Sequence, residues 1–178
     1  MGIKVSVIVP VYNAERYIME CAESLVRQTL AEIEIIFVND ASTDESEKLL
    51  EKYVENYSDK VKLVSLERNS KQGAARNIGV KQSNGEYIMF VDSDDELTKD
   101  AIRRMVDIAN KYNSDYVDSY QIIKYAKNNK EYMFTEFKLP KKHLVLGSIE
   151  NNPKIINMYM YIKGKLIKKN LINDLLFD

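Results

Sequence analysis

The stretch Gly85–Asp95 reads G-E-Y-I-M-F-V-D-S-D-D. Its apolar run, Tyr87–Val91, ends in three carboxylates within four residues: Asp92, Asp94 and Asp95. A short apolar run bounded by polar residues has the pattern of a buried strand, which here delivers acids to one edge of a sheet. Carboxylates this close repel one another. A hard divalent cation, Mg²⁺ or Mn²⁺, relieves that repulsion, because it takes oxygen ligands and binds through one or two carboxylates together with phosphate oxygens. The plainer alternative has Asp94 or Asp95 opening the next helix, where acidic residues are favoured.

Upstream of this stretch the same strand signal recurs three times. Val5–Pro10 (V-S-V-I-V-P) is too continuously apolar to alternate, as expected of a strand buried on both faces. Ile33–Val38 and Val61–Leu66 repeat the pattern. Between the strands lie helical segments. Asn13–Thr29 carries Tyr17, Ile18, Cys21, Ala22 and Leu25 on one stripe. The segment after Asn39–Asp44 has Ser42 and Glu45 spaced as a capping box, with Leu49, Leu50, Tyr53, Val54 and Tyr57 facing inward. Gly73–Ser83 holds Ala74, Ala75, Ile78 and Val80, and a helix capped by Thr98 carries Ala101, Ile102, Met105, Val106 and Ala109.

Four strand–helix alternations with short connections predict an α/β fold, a mainly parallel sheet covered by helices on both faces with right-handed crossovers. In such sheets ligands sit at the carboxyl ends of the strands, where the strand order reverses. A 3-2-1-4 order sets strands one and four side by side, so Pro10–Asn13 and Asp92–Asp95 face one crevice. Beyond Tyr112 the regularity fades into an irregular C-terminal extension, in which Tyr116–Tyr125 and Glu131–Phe137 read as two strands joined near Lys127–Lys130. Lys138–Asn170 is basic, with lysines 138, 141, 142, 154, 163, 165, 168 and 169 against the single acid Glu150. That is either a solvated face or a surface for a diphosphate or an anionic membrane.

With 178 residues, 45% apolar and 30% charged, the chain is expected to be one soluble globular domain. A net charge of −1 gives no electrostatic case for nucleic acid. One cysteine, Cys21, rules out an intramolecular disulfide and a cysteine-rich zinc site, and suits a reducing compartment. His143 is the only histidine, so histidine-based triads have little to work with. Met1–Pro10 is too short for a membrane span and lacks a signal peptide's cleavage pattern, and the expected home is the cytoplasm.

Four loop segments follow the four strands: P-V-Y-N (Pro10–Asn13), N-D-A-S-T-D (Asn39–Asp44), Q-G-A-A-R-N (Gln72–Asn77) and D-S-D-D (Asp92–Asp95). In this order and spacing they resemble the family-2 glycosyltransferases of the GT-A fold. The resemblance runs over Val5–Asp95 and returns more weakly at Gly164–Leu171 (G-K-L-I-K-K-N-L). It implies a nucleotide-sugar site in which Tyr12 stacks on the base, typically uracil, with Pro10 and Val11 lending backbone groups beside it. Asp40 accepts a hydrogen bond from the base, and Arg76 sits near the base edge or the diphosphate. Asp92 and Asp94 match the family's D-x-D, with Asp92 toward the ribose or the metal shell and Asp94 as direct ligand to Mn²⁺ or Mg²⁺. Asn39 stands where many relatives have a first aspartate.

The implied reaction is metal-assisted transfer of a sugar from a nucleotide-diphosphate donor, a UDP-sugar, to a saccharide or lipid-linked acceptor hydroxyl, with inversion. In-line attack needs a carboxylate base near the acceptor hydroxyl. The family's acidic motif falls somewhat after the segment resembled by Gly164–Leu171, so the base is expected beyond Asp178. Asp95, Asp174 and Asp178 are weak candidates. Residues 1–112 then form the donor-binding part and 113–178 an incomplete acceptor-side extension, with peripheral contact to the inner membrane face through 138–170. The alternatives are a non-catalytic nucleotide-sugar-binding module and a nucleotidyltransferase, although P-V-Y-N-A-E-R lacks the glycines that hold a triphosphate after strand one.

Overall fold

The computed structural model describes residues 2–118, 162–172 and 177 with their side chains, and the backbone of 121–125 and 130–134. Strands β1 (Val5–Val11), β2 (Ile33–Asn39), β3 (Val61–Ser65) and β4 (Tyr87–Phe90) alternate with helices α1 (Ile18–Val26), α2 (Ser46–Asn56), α3 (Lys71–Gln82) and α4 (Ala101–Tyr112). The four strands pair in parallel, as the alternation predicts, and in the order β3-β2-β1-β4 that sets strands one and four side by side. Beyond β4 the sheet continues antiparallel through β8 (Leu166–Lys168) to β5 (Tyr116–Val117). Strands β6 (Gln121–Tyr125) and β7 (Lys130–Phe134) form a separate antiparallel pair. This is the doubly wound, mainly parallel α/β class. Among the described residues beyond 112, β5 and β8 join the same sheet, and β6 and β7 form their own pair.

β1 and β2 are buried at every position, because helices cover both faces. On one face Val5, Val7, Val9 and Val11 pack with Ile35, Phe37 and Met89 beneath α1, α2 and α4. On the other, Ile8, Ile88 and Phe90 meet Val80, and Ile36 and Val38 meet Ala75, all beneath α3. Each such side chain contributes about 1.5–3 kcal/mol of transfer free energy. Gly79 lets α3 lie directly on β1, since a Cβ there would stand 2.3 Å from Ile8 Cγ2.

Several local expectations are corrected. Helix α1 begins at Ile18 rather than Asn13, and Tyr17 is half-exposed instead of joining the stripe. The capping box does not form: Ser42 Oγ accepts from the Asn13 N–H, while Asp44 Oδ1 accepts from the Ser46 N–H that α2 leaves free. Thr98 offers no side-chain cap to α4. Its carbonyl accepts from Ala101 N–H, and Gln28 Oε1 satisfies Ile102 N–H. Two of these shifts follow long-range partners, Asn13 for the Ser42 hydroxyl and Gln28 for the Ile102 N–H. Residues 126–129, where the hairpin turn was expected, and Lys138, Lys141, Lys142, Lys154, Asp174 and Asp178 lie outside the described residues.

The amino-terminal end of the sheet is closed by a polar network around the buried Ser6 and Glu34 side chains. Glu34 accepts hydrogen bonds from Ser6 Oγ at 2.7 Å, Lys62 Nζ at 2.8 Å and the backbone and side chain of Asn84. Gly85 N–H donates to Ser6 Oγ at 2.8 Å, and a Cβ on Gly85 would stand 2.5 Å from the Ser6 backbone nitrogen. Burial raises the Glu34 pKa, but the Lys62, Ser6 and Asn84 bonds outweigh it and hold the carboxyl below its ordinary value. The stability it contributes is therefore complete above the unfolded glutamate value of about 4.3, and is lost as pH falls through the lower folded value. Glu34→Gln is expected to cost about 1–3 kcal/mol near neutral pH in urea denaturation and to flatten the acid limb of the stability profile; an unaltered acid limb refutes this. Gly85→Ala, which presses a methyl against backbone, is expected to lose about 1–3 kcal/mol in the same assay.

Candidate functional site

The carboxyl ends of the parallel strands form one hydrogen-bonded rim. Backbone pairing of β1 and β2 carries the first loop onto the second, where Asp40 N–H donates to the Val11 carbonyl at 2.8 Å. Asn13 takes φ 50° and Ala41 φ 55°, left-handed conformations that cost a non-glycine residue about 1–2 kcal/mol. The Asn13 side chain repays part of that by accepting from Thr43 N–H at 2.8 Å. Between these residues Tyr12 stands half-exposed while its neighbours Pro10 and Val11 are buried.

The second loop is tied to the third. Asp40 is 3% exposed, and its Oδ1 accepts from Ser70 N–H at 2.7 Å, at the entrance to α3. Helix α3 then aims two side chains at the fourth loop. Gln72 Nε2 and Arg76 Nη2 each donate to Asp92 Oδ1 at 3.2 Å. The Arg76 guanidinium also lies 5.9 Å from the centre of the Phe90 ring. Cys21 Sγ, 3.7 Å from the Asp92 carbonyl, supports the loop from the α1 side. Tyr12, Asp40, Arg76 and Asp92 thus belong to one continuous edge.

Asp92, Asp94 and Asp95 each place a carboxylate oxygen within 4.8 Å of the others. Such a cluster of hard oxygen donors fits Mg²⁺ or Mn²⁺. The Asp94 carboxylate takes no hydrogen bond or ion pair among the described residues, whereas Asp92 and Asp95 are engaged. Lys163 Nζ lies 3.0 Å from Asp95 Oδ2 and 3.4 Å from Asp92 Oδ2. Burial works to lower the Lys163 pKa, but the Asp95 hydrogen bond and the Asp95 and Asp92 charges outweigh it and leave the pKa raised. Asp95 is raised chiefly by burial, with Asp92 and Asp94 adding to the effect against Lys163. Two further donors, Arg76 Nε and Asn39 Nδ2, are buried with no acceptor among the described residues. Such a donor costs about 1–3 kcal/mol unless something completes it.

Lys163 is the site residue that sequence reading leaves undistinguished. The excess of lysines in 138–170 marks the segment but not which of them turns inward. Among the described ones, Lys165 pairs with Asp118 at 2.6 Å, Lys168 with Asp115 at 2.9 Å, and Lys169 donates to the Ser83 carbonyl at 2.6 Å. These four lysines are held by the protein itself and do not form a solvated face.

The glycosyl transferase family 2 model matches residues 6–174. Glycosyltransferase GlyA of Streptococcus pneumoniae is 34% identical over 98% of this chain, which spans 26% of GlyA. The poly(ribitol-phosphate) beta-N-acetylglucosaminyltransferase TarS of Staphylococcus aureus is 40% identical over 63% of this chain and 20% of its own length. The crystal structure of S. aureus TarS 1-349 in complex with UDP-GlcNAc superposes with a TM-score of 0.78 at 30% identity, covering 98% of this chain and 48% of that one. The chain therefore spans half or less of each of these relatives. Among its described residues no helix is long and apolar enough to cross a membrane.

The acidic loop also acts on Cys21. Burial, followed by the charges of Asp95, Asp94, Glu96 and Asp92, pushes its thiol up to about 12. Disulfide-exchange labelling near pH 8 is expected to leave the native protein unmodified while the urea-unfolded chain reacts fully. Stoichiometric labelling of the native protein refutes this.

Proposed function

The chain belongs to glycosyl transferase family 2, and from that premise we propose that it binds a UDP-sugar on the rim described above and transfers the sugar, with inversion and metal assistance, to an acceptor hydroxyl. The observation that carries this reading is the convergence of Asp40, Arg76 and the Asp92–Asp95 cluster on one edge, with two buried donors lacking acceptors. Unsatisfied N–H groups beside carboxylates suit a ligand that brings both a cation and anionic oxygens, as a metal-bound nucleoside diphosphate does.

The roles follow from what each group offers. The half-exposed Tyr12 ring presents a face for a uracil to stack on. Pro10 and Val11 border it, and Asp40, already accepting from Ser70 N–H, keeps its other oxygen for an imide N–H. Arg76 faces the diphosphate or the base edge from α3, with Asp92 oriented by Gln72 and Arg76 toward the ribose or the metal shell. Asp94, whose carboxylate has no partner among the described residues, would hold Mn²⁺ or Mg²⁺ directly, with Asp92 beside it. A divalent cation there supplies neutralisation for the charge that collects on the departing nucleoside diphosphate.

Residues 1–112 make up the donor side in this reading, and 113–178 begin the acceptor side. The acceptor class is a saccharide or lipid-linked hydroxyl, and the cytoplasm, or its membrane face, is the compartment. A membrane-surface role for the lysine-rich segment falls to Lys138, Lys141, Lys142 and Lys154, since the other four are paired internally.

Calorimetry with UDP, with and without Mn²⁺, tests this. Binding is expected to strengthen with the metal, and Asp94→Ala is expected to weaken the metal-dependent binding at least about tenfold, equivalent to ~1.4 kcal/mol. Binding of UDP-sugar without turnover makes the chain a donor-binding module, and a preference for nucleoside triphosphate overturns the reading in favour of nucleotidyl transfer.

A further inference from the structure

Lys163 reaches the acidic cluster from about seventy residues further along the chain, and the sheet holds it there. Its backbone bridges to Phe90, and Gly164 N–H donates to the Phe90 carbonyl at 2.9 Å. Gly164, at φ 69°, turns the chain immediately afterwards, a conformation natural to glycine. Lys165 is buried against Asp118, and Leu166–Lys168 are paired on both sides, to β4 and to β5. The segment is thus fixed by strand pairing on the far side of Lys163 and by a hydrogen bond beside it. Only the side chain of Lys163 has freedom, and it is 28% exposed.

The oxygens that Lys163 touches belong to the same cluster that fits a divalent cation. An ammonium and a divalent ion among the same carboxylates repel each other and compete for the same oxygens, so binding of one weakens the hold on the other. We propose that Lys163 is a resident counter-ion of this site, neutralising Asp92 and Asp95 in the metal-free protein, displaced when Mn²⁺ or Mg²⁺ binds, and then turned to the phosphate oxygens of the donor. The inference rests on the donor-site reading above and assigns to Lys163 a positioning role within it. The backbone anchor makes the exchange local: the ammonium leaves the carboxylates by rotating its own chain, without leaving the rim. A divalent cation and the two negative charges of a bridging diphosphate cancel, so the net charge on the site's own carboxylates, Arg76 and Lys163 is the same in both states. Arg76, anchored on Asp92 Oδ1 and backed by Phe90, is the cation that stays.

The test measures Mn²⁺ affinity by calorimetry in the 178-residue chain and in Lys163→Met, Lys163→Gln and Lys163→Arg, then UDP affinity at saturating Mn²⁺. Lys163→Gln keeps length and polarity, so a folding defect in Lys163→Met does not end the experiment. Both neutral variants are expected to bind Mn²⁺ alone about three- to tenfold more tightly than the wild type, and Lys163→Arg about as tightly as the wild type. At saturating Mn²⁺ the neutral variants are expected to bind UDP about tenfold more weakly, because a charge-assisted bond to phosphate is gone. A purely structural ion pair predicts no gain in Mn²⁺ affinity. Unchanged or weakened Mn²⁺ binding in both neutral variants overturns the counter-ion role, and unchanged UDP binding overturns the transfer to phosphate. Either result, in a wild type that binds Mn²⁺ and UDP, leaves the donor-site reading standing. A wild type that binds neither overturns both.

Discussion

Three carboxylates on one tight turn cannot remain charged without company, and much of the architecture around this turn supplies it. The Asp95 N–H to Asp92 carbonyl bond closes the turn and keeps the acids together. Arg76 comes from α3, below one face of the sheet, and Lys163 comes from the strand segment that pairs with β4. Neither is near the acids in sequence. Repulsion is thus converted into an attachment point for two remote parts of the chain, and the site is as rigid as the elements that deliver these cations.

The two ends of the sheet do different work. At the amino-terminal end, Ser6, Lys62, Asn84 and Gly85 close a hydrogen-bonded network around the buried Glu34 carboxylate. At the carboxyl-terminal end the polar groups are left partly unsatisfied, as Arg76 Nε and Asn39 Nδ2 illustrate, and Asn13 and Ala41 hold strained backbone. A protein that must only be stable would satisfy both ends. Buried donors with no acceptor among the described residues are the arrangement expected of a surface that meets a polar ligand.

The extension beyond residue 112 contributes to both core and site. Its strands β5 and β8 complete the sheet, Ile172 packs with Ile8, Ile88 and Phe90, and Phe177 meets the Phe90 ring edge-on at 5.4 Å. Asn77, inside the third rim segment, exchanges two hydrogen bonds with the Phe177 backbone. Among the described residues, those before and after residue 112 therefore share one core.

The sequence by itself determined the alternation of strands and helices and the identity of the rim loops, because continuous apolar runs and three-four helical spacing are local signals strong enough to survive without context, while the 3-2-1-4 order it only framed was settled by strand pairing. It also determined that Asp40, Arg76 and Asp92 share an edge, since each follows a strand of one parallel sheet. Tertiary structure alone decided what depends on partners distant in the chain. Ser42 abandons its local cap for Asn13, Tyr17 leaves the helical stripe for solvent, and among the described lysines of the segment Lys163 is selected by the register of β8 against β4. A slip of one residue in that register would turn a different side chain toward the acids, and no pattern within the lysine-rich segment records which register the sheet enforces.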